Sequence, residues 1–278
     1  MREALRSAEH TRRWGTALAA LAVLVACVLA GGIAFSLLCL IAALGCLWEY
    51  QGLTRGARRA GFLDPGSLLG YAAAVALAAA AHSGHEAAML AVPTLHLVCC
   101  GALCLRRFPS DRSALEEAAR QVLGVSYLAL PLALFIALRA APQGMVWVFL
   151  TCAVVFAGDS AAFYVGHLFG KRKLAPAISP GKTREGALGG LVASLLVGWG
   201  GTVIFLPEIP GAGGALLGGL VGLAGQAGDL FESCWKRAAG VKDSGALLPG
   251  HGGILDRLDA LLFAAPVAFG LRLCLAPL

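Results

Sequence analysis

The sequence predicts an all-α, polytopic integral membrane protein with about nine transmembrane helices and a cytoplasmic N-terminus. Composition is the first observation behind this. Of 278 residues, 58% are hydrophobic and 14% charged, and the mean hydropathy is +0.77; a soluble domain is about half apolar and a quarter charged. The second is a series of apolar runs long enough to cross a bilayer. The third is the placement of Lys and Arg.

The runs fall at 15–31, 33–49, 67–83, 87–105, 121–139, 144–164, 187–206, 212–232 and 254–275. Several are read as short or broken by Gly and Pro. The first two are separated only by Gly31-Gly32; together they are too long for one crossing. "LVAC" at Leu24 to Cys27 resembles a lipoprotein cleavage site, but the stretch stays apolar beyond it and is expected to be a retained span. The segment 107–120 reads as a short amphipathic interfacial helix. No internal repeat or low-complexity linker is found. The chain divides into an N-terminal transmembrane region, 1–140, and a motif-bearing region, 141–278.

Basic residues test this topology. Arg2, Arg6, Arg12 and Arg13 precede the first span. Arg55, Arg58 and Arg59 follow the second; Arg106, Arg107, Arg112 and Arg120 the fourth; Lys171, Arg172, Lys173, Lys182 and Arg184 the sixth; Lys236, Arg237, Lys242 and Arg257 the eighth. These are 20 of the 22 Lys and Arg, with only Arg139 and Arg272 on the opposite side. Such asymmetry places the N-terminus and these loops in the cytoplasm. It also accounts for the net charge of +6 and excludes nucleic acid as a partner. The nine cysteines lie mostly in apolar runs and are expected to be reduced packing residues. His96, Cys100 and Cys104 have helical spacing but lack a fourth ligand.

The first five spans carry few ionisable residues. Glu49, at the end of the second span, reads as an interfacial residue. Beyond residue 158, carboxylates enter apolar runs. Asp159 sits inside "VVFAGDSAAFYVGHLFG"; Gln226, Asp229 and Glu232 recur three apart and share a helical face, as do Asp256 and Asp259. A carboxylate at membrane depth is costly and faces a partner, an ion or a polar cavity. Asp256 and Asp259 are expected in the first turn of the last span, where the helix dipole favours acids. Asp229 is expected at the C-terminal end of its span, where the dipole disfavours one. The placement of Asp229 is therefore the sharper sign of a cation. Two basic, glycine-bearing loops flank these carboxylates, 170–186 and 232–253. Carboxylates for a divalent cation, with Lys, Arg and flexible glycines around them, suit phosphate chemistry. "GKT" at 181–183 is not a nucleotide-binding loop, since Pro176 stands where such a loop needs Gly.

Ser233 to Asp259 reads S-x-x-K-R-x4-K-D-x-G-x2-L-P-x-H-G-G-I-x-D-R-L-D. This closely resembles the motif of the phosphatidate cytidylyltransferase (CDP-diacylglycerol synthase) family. One departure is Trp235, where that family usually has an aliphatic residue, Met or Phe. "GDSAAFYVGHLFGKRKLAPAISPGKTREG" and "GDLFESCWKR" are also similar, so the resemblance covers about 144–270. It implies transfer of CMP from CTP to phosphatidate with loss of pyrophosphate, a requirement for Mg²⁺, the cytoplasmic face of a bacterial inner membrane, and a homodimer. It implies Asp229 and Asp256 as metal residues; Asp159, Asp243 and Asp259 are expected to support them or to serve a second cation. Lys236, Arg237, Lys242 and Arg257 join Asp229 and Asp256 in the catalytic set. Substrate contacts are expected at Lys171, Lys173, Ser179, Lys182, Thr183, Glu185, Ser233, Asp243, His251, Gly252 and Gly253, with His251 equally open to a loop-stabilising role.

Two other readings compete. A CTP-dependent polyprenol or dolichol kinase-like enzyme would transfer the γ-phosphate to an alcohol; the uninterrupted K-D…H-G-G-x-x-D-R-x-D stretch argues against it. A transporter would use intramembrane carboxylates for protons or cations, but here the charged motifs gather in the last 120 or so residues and on one face.

Overall fold

A computed structural model describes residues 18–55, 64–247 and 252–276. Ten helices are seen among them: α1 (Leu18–Ala30), α2 (Gly32–Arg55), α3 (Pro65–His82), α4 (Glu86–Arg107), α5 (Ala114–Gly124), α6 (Leu130–Ala140), α7 (Gly144–Phe169), α8 (Arg184–Phe205), α9 (Gly211–Ala238) and α10 (Leu255–Leu275). A two-stranded hairpin, β1 (Lys173–Ala175) and β2 (Ser179–Thr183), joins α7 to α8. A π-helical turn, Val125–Ala129, joins α5 to α6. The expected all-α membrane fold is observed. Among the described residues eight helical segments are long and apolar enough to span a bilayer, counting Ala114–Ala140 as one; Leu18–Ala30 is shorter. Large apolar side chains face outward, such as Leu105 at 78% exposed and Phe163 at 69%. In water such surface would be a liability; in lipid it is the required exterior. The basic residues at positions 2, 6, 12, 13, 58 and 59 lie outside the described residues.

The chain forms two compact units, Met1–Ile136 with Ala239–Arg257, and Ala137–Ala238 with Leu258–Leu278. In the first, α1 and α2 part at Gly31 (φ 63°) and Gly32 (φ 48°), a left-handed pair that side chains disfavour. Asp64 caps α3, accepting from Gly66 N (3.0 Å), Ser67 N (3.2 Å) and Ser67 Oγ (2.7 Å), with Pro65 in the first turn. The Phe35 and Phe135 rings pack with centroids 6.0 Å apart. A Cβ on Gly124 would come within 2.9 Å of the Tyr50 ring, so α5 approaches α2 through a glycine. The expected interfacial helix at 107–120 is not separate. α4 ends at Arg107, and the acidic segment opens α5, continuing as one apolar span to Ala140. The π turn precedes Pro131, which lacks an N–H and crowds the carbonyl of Tyr127; the wider turn relieves both.

In the second unit α8 packs against both α7 and α9. The buried face of α8 is Gly186, Gly190, Ser194, Gly198 and Thr202, one small residue every four. A Cβ on Gly198 would collide with Gly218, one on Gly222 or Gly158 with Ser194, and one on Gly214 with Thr202. These glycines were read from sequence as breaks in the spans. They are instead the contact line that lets backbones approach where lipid offers no hydrophobic drive to association.

Gly198→Leu should therefore force α8 from α9. We expect a destabilisation of at least about 1–3 kcal/mol, seen as a lowered midpoint in thermal unfolding of detergent-solubilised protein. Gly200→Leu, at a position with open space around it, should change it by less than about 0.5 kcal/mol.

Candidate active site

In the second unit the polar centre is built from β2, α7, α9 and α10. The hairpin runs antiparallel, pairing Lys173 with Thr183 and Ala175 with Ser179. Its last residue, Thr183, is also the N-cap of α8: Thr183 Oγ1 accepts from Gly186 N (3.1 Å). A Cβ on Gly166, Gly170 or Gly186 would press on the Thr183 side chain, so these glycines seat it against α7. Glu185 Oε2 accepts from Lys171 N (3.1 Å) and Arg172 N (3.2 Å), pinning the strand entry. Arg237 Nε donates to Ile178 O (3.1 Å), tying the hairpin turn to α9. Thr183 and Glu185 thus hold the loop's backbone, a task that their sequence assignment to substrate did not anticipate.

That framework aims Lys182 at α9, where its Nζ forms an ion pair with Asp229 Oδ2. The two side chains are 28% and 31% exposed, so the pair is neither sealed nor fully solvated. Asp159, from α7, stands in the electrostatic range of both Asp229 and Lys182. Asp259, from α10, stands in that of Asp229, Lys236 and Asp159. Asp159 and Asp259 thus share Asp229 as an electrostatic neighbour, with Lys182 near Asp159 and Asp229, and Lys236 near Asp259. Gln226, a turn before Asp229, donates to Ala187 O (3.1 Å). A turn after it, Glu232 is fully buried and ion-paired with Lys236. Lys236, assigned to phosphate from sequence, has a carboxylate at hand in this conformation. Ser233 is buried on α9 at 7% exposed, while Lys171, Lys173, Lys242 and Asp243 are exposed.

One expectation is corrected here. Asp229 does not sit at a helix end. α9 runs to Ala238, nine residues further, about two and a half turns. The dipole effect fades within the last turn, so it cannot penalise Asp229. The helix continues because Glu232 and Lys236 pair across one turn, and Lys236 and Arg237 suit its C-terminus.

In the first unit Asp256 occupies the first turn of α10, as expected; Asp259 falls in the second turn, because the helix starts at Leu255. Asp256 Oδ2 accepts from Ser244 N (2.9 Å), Ser244 Oγ (2.9 Å) and Gly253 N (2.8 Å). Gly252 has φ 80°, which explains its identity. Gly253 is small for another reason: a Cβ there would strike Ser244 Oγ and the Glu49 carboxylate. Glu49, on α2, accepts from Ser244 Oγ (3.1 Å), Ile254 N (3.0 Å) and Leu255 N (2.9 Å). Its 3% exposure removes it from the interfacial role read from sequence. His251 lies outside the described residues, and Arg257 is exposed.

Among the described residues no three His, Cys, Asp or Glu side chains converge as a ready-made metal ligand set. The carboxylates of Asp159, Asp229 and Asp259 nonetheless offer hard oxygen donors. A magnesium ion is commonly held by one or two carboxylates and completed by water and substrate phosphate. The residues present fit that mode, and do not fit a closed all-protein cage.

The sequence profile of the cytidylyltransferase family matches residues 11–275. A phosphatidate cytidylyltransferase of Staphylococcus aureus is 32% identical over 254 residues, 91% of this chain and 95% of that protein. One of Bacillus subtilis is 41% identical over 155 residues, 55% of this chain and 58% of that protein. One of Synechocystis sp. is 46% identical over 136 residues, 49% of this chain and 46% of that protein. The last two matches thus span only about half the length of those relatives, while the first spans nearly the whole. A profile match running from residue 11 to 275, and a relative 32% identical over 91% of this chain and 95% of its own length, show that the chain belongs to the cytidylyltransferase family, a family of nucleotidyltransferases.

Proposed function

We propose that the protein transfers CMP from CTP to phosphatidate, giving CDP-diacylglycerol and pyrophosphate, at the cytoplasmic face of a bacterial inner membrane, as a homodimer. The observation that carries this reading is the Lys182–Asp229 pair with Asp159 and Asp259 beside it. The similarity to named phosphatidate cytidylyltransferases supports the substrates. The basic-loop asymmetry supports the orientation, including a cytoplasmic N-terminus.

In this reading a phosphate oxygen of phosphatidate attacks the α-phosphorus of CTP. The new O–P bond forms as the bond from the α-phosphorus to the bridging oxygen breaks, and pyrophosphate leaves with the electron pair. The nucleophile is already anionic at neutral pH, so no strong general base is needed. Two polyanions must be aligned and their charge neutralised, and catalysis rests on those tasks. Mg²⁺, when bound, would supply electrostatic neutralisation of phosphate oxygens. Asp229 and Asp256 would hold it, with Asp159 and Asp259 supporting them or serving a second cation. Lys182 would leave Asp229 for a CTP phosphate oxygen. Lys171, Lys173, Arg237, Lys242 and Arg257 would hold the remaining phosphate charge, and Lys236 would do so while anchored by Glu232. Ser179, Ser233, Asp243, His251, Gly252 and Gly253 would border the substrates. Thr183 and Glu185 would keep the hairpin, and hence Lys182, in place.

Purified protein given Mg²⁺, phosphatidate and CTP labelled at the α-phosphate should place the label in lipid; label at the γ-phosphate should appear in pyrophosphate. Lipid labelled from the γ position would replace this reading with a kinase. Substitutions test the site itself. Asp229→Asn should lower kcat by at least about 100-fold, and Lys182→Ala should lower kcat/KM for CTP by a comparable factor, the scale of losing one charge-stabilising group. Near-normal steady-state kinetics in a folded variant would remove that residue from its role.

A further inference from the structure

We infer that Glu49, on α2, is a positioning residue for Asp256. This rests on the proposed part of Asp256 in the reaction. Three observations lead to it. First, Glu49 is a nearly buried carboxylate near the C-terminal end of a membrane-spanning helix. A buried polar group needs hydrogen-bond partners. Second, the donors come from 195 to 206 residues away: Ser244 Oγ (3.1 Å), Ile254 N (3.0 Å) and Leu255 N (2.9 Å). α10 begins at Leu255, so the residue before it is Ile254, a side chain that cannot cap. Glu49 supplies from another helix the cap that α10 lacks at its own N-terminus. Third, the chain is built small around this carboxylate. A Cβ on Gly245 or Gly253 would collide with Glu49, and a Cβ on Gly45, one turn earlier on α2, would lie 2.6 Å from Ile254 Cδ1.

The consequence reaches Asp256 by two routes. Glu49 fixes the backbone immediately before it through Ile254 N and Leu255 N. It also shares the Ser244 hydroxyl, which lies 3.1 Å from Glu49 Oε2 and 2.9 Å from Asp256 Oδ2. A hydroxyl has one proton to donate, so the orientation of each carboxylate depends on the other. Asp256 Oδ2 is held toward Ser244 and Gly253 by this arrangement, and the direction of its second oxygen is set accordingly.

The test uses full-length protein in nanodiscs with Glu49→Gln, Glu49→Asp and Ser244→Ala. Glutamine keeps the size but cannot accept at both terminal atoms. In metal-free, nucleotide-free protein, amide exchange across 253–256 should rise about 10-fold in Glu49→Gln, the scale of one lost hydrogen bond to a charged group. Its kcat/KM for CTP should fall about 10- to 100-fold, the usual cost of removing a residue that orients a metal ligand, and half-saturating Mg²⁺ should rise. Glu49→Asp should recover part of both losses. A merely structural role would lower the folded fraction and leave half-saturating Mg²⁺ and the KM for CTP unchanged; that result overturns the proposal, as does unchanged exchange. If Glu49→Gln is not recovered folded, Ser244→Ala, which breaks only the shared hydroxyl, is judged by the same two readouts. If the unmutated protein forms no CDP-diacylglycerol, the reading of the reaction falls separately. The Glu49 proposal then stands if Mg²⁺ with CTP slows exchange over 253–256 in the unmutated chain but not in Glu49→Gln, and falls if both respond alike.

Discussion

Lys182 can meet Asp229 because α8 approaches α7 and α9 with almost no side chain between them. The row Gly186, Gly190, Ser194, Gly198 and Thr202 sets that distance, and Gly214, Gly218 and Gly222 answer it from α9. Thr183 caps α8 and ends β2, so the strand's position is inherited from the helix. Lys182, one residue earlier, inherits it in turn. A larger residue at Gly198 would shift a packing surface, a strand and an ion pair together.

Charge placement follows the same logic of internal supply. An ionised group in an apolar bundle has no water to solvate it and must find partners in the chain. Glu232 finds Lys236 one helical turn away, a pairing that also extends α9. Glu185, which is partly exposed to solvent, also accepts from two backbone N–H groups, those of Lys171 and Arg172 just before β1. Glu49 finds a hydroxyl and two backbone N–H groups of a distant segment. In each case the acid fixes another part of the structure, whereas Lys182 and Asp229 neutralise each other at partial exposure. That difference marks the latter pair as the one a substrate phosphate could enter.

The membrane fold was legible because it follows from composition and run length, both properties of the sequence alone. The Asp229 and Asp256 motifs were legible because their residue types are dense and unusual at that depth. Three things were not. The hairpin's signal is eleven residues of mixed character within a basic loop. The glycines of α8 and α9 look like breaks until a partner helix is placed against them; their four-residue spacing was the available sign. Glu49 could not be read, since its partners lie about 200 residues away and no local pattern announces them. Asp229 was legible as unusual, but for an insufficient reason: its span looked shorter than α9 is.

The acids of this chain therefore divide by what surrounds them. Asp64, Glu49, Glu185 and Glu232 each face donors that belong to the protein, and their hydrogen-bonding capacity is used in building it. Asp159 and Asp259 each lie within electrostatic range of Asp229, which Lys182 neutralises, and Lys236 lies within that range of Asp259. Mutual repulsion at such a site is tolerable only if cations relieve it. A lysine does so in the resting structure, but its side chain is long and partly exposed and can swing to another anion. Moving it onto a triphosphate would leave the carboxylates in excess just as a second polyanion arrives. A divalent cation held by these carboxylates would supply the charge neutralisation that such repulsion calls for. A site with only basic residues would hold CTP without discriminating the metal-bound form. One with only acids would reject it. The mixture at Lys182 and Asp229 is what the joining of two phosphates in a membrane would require.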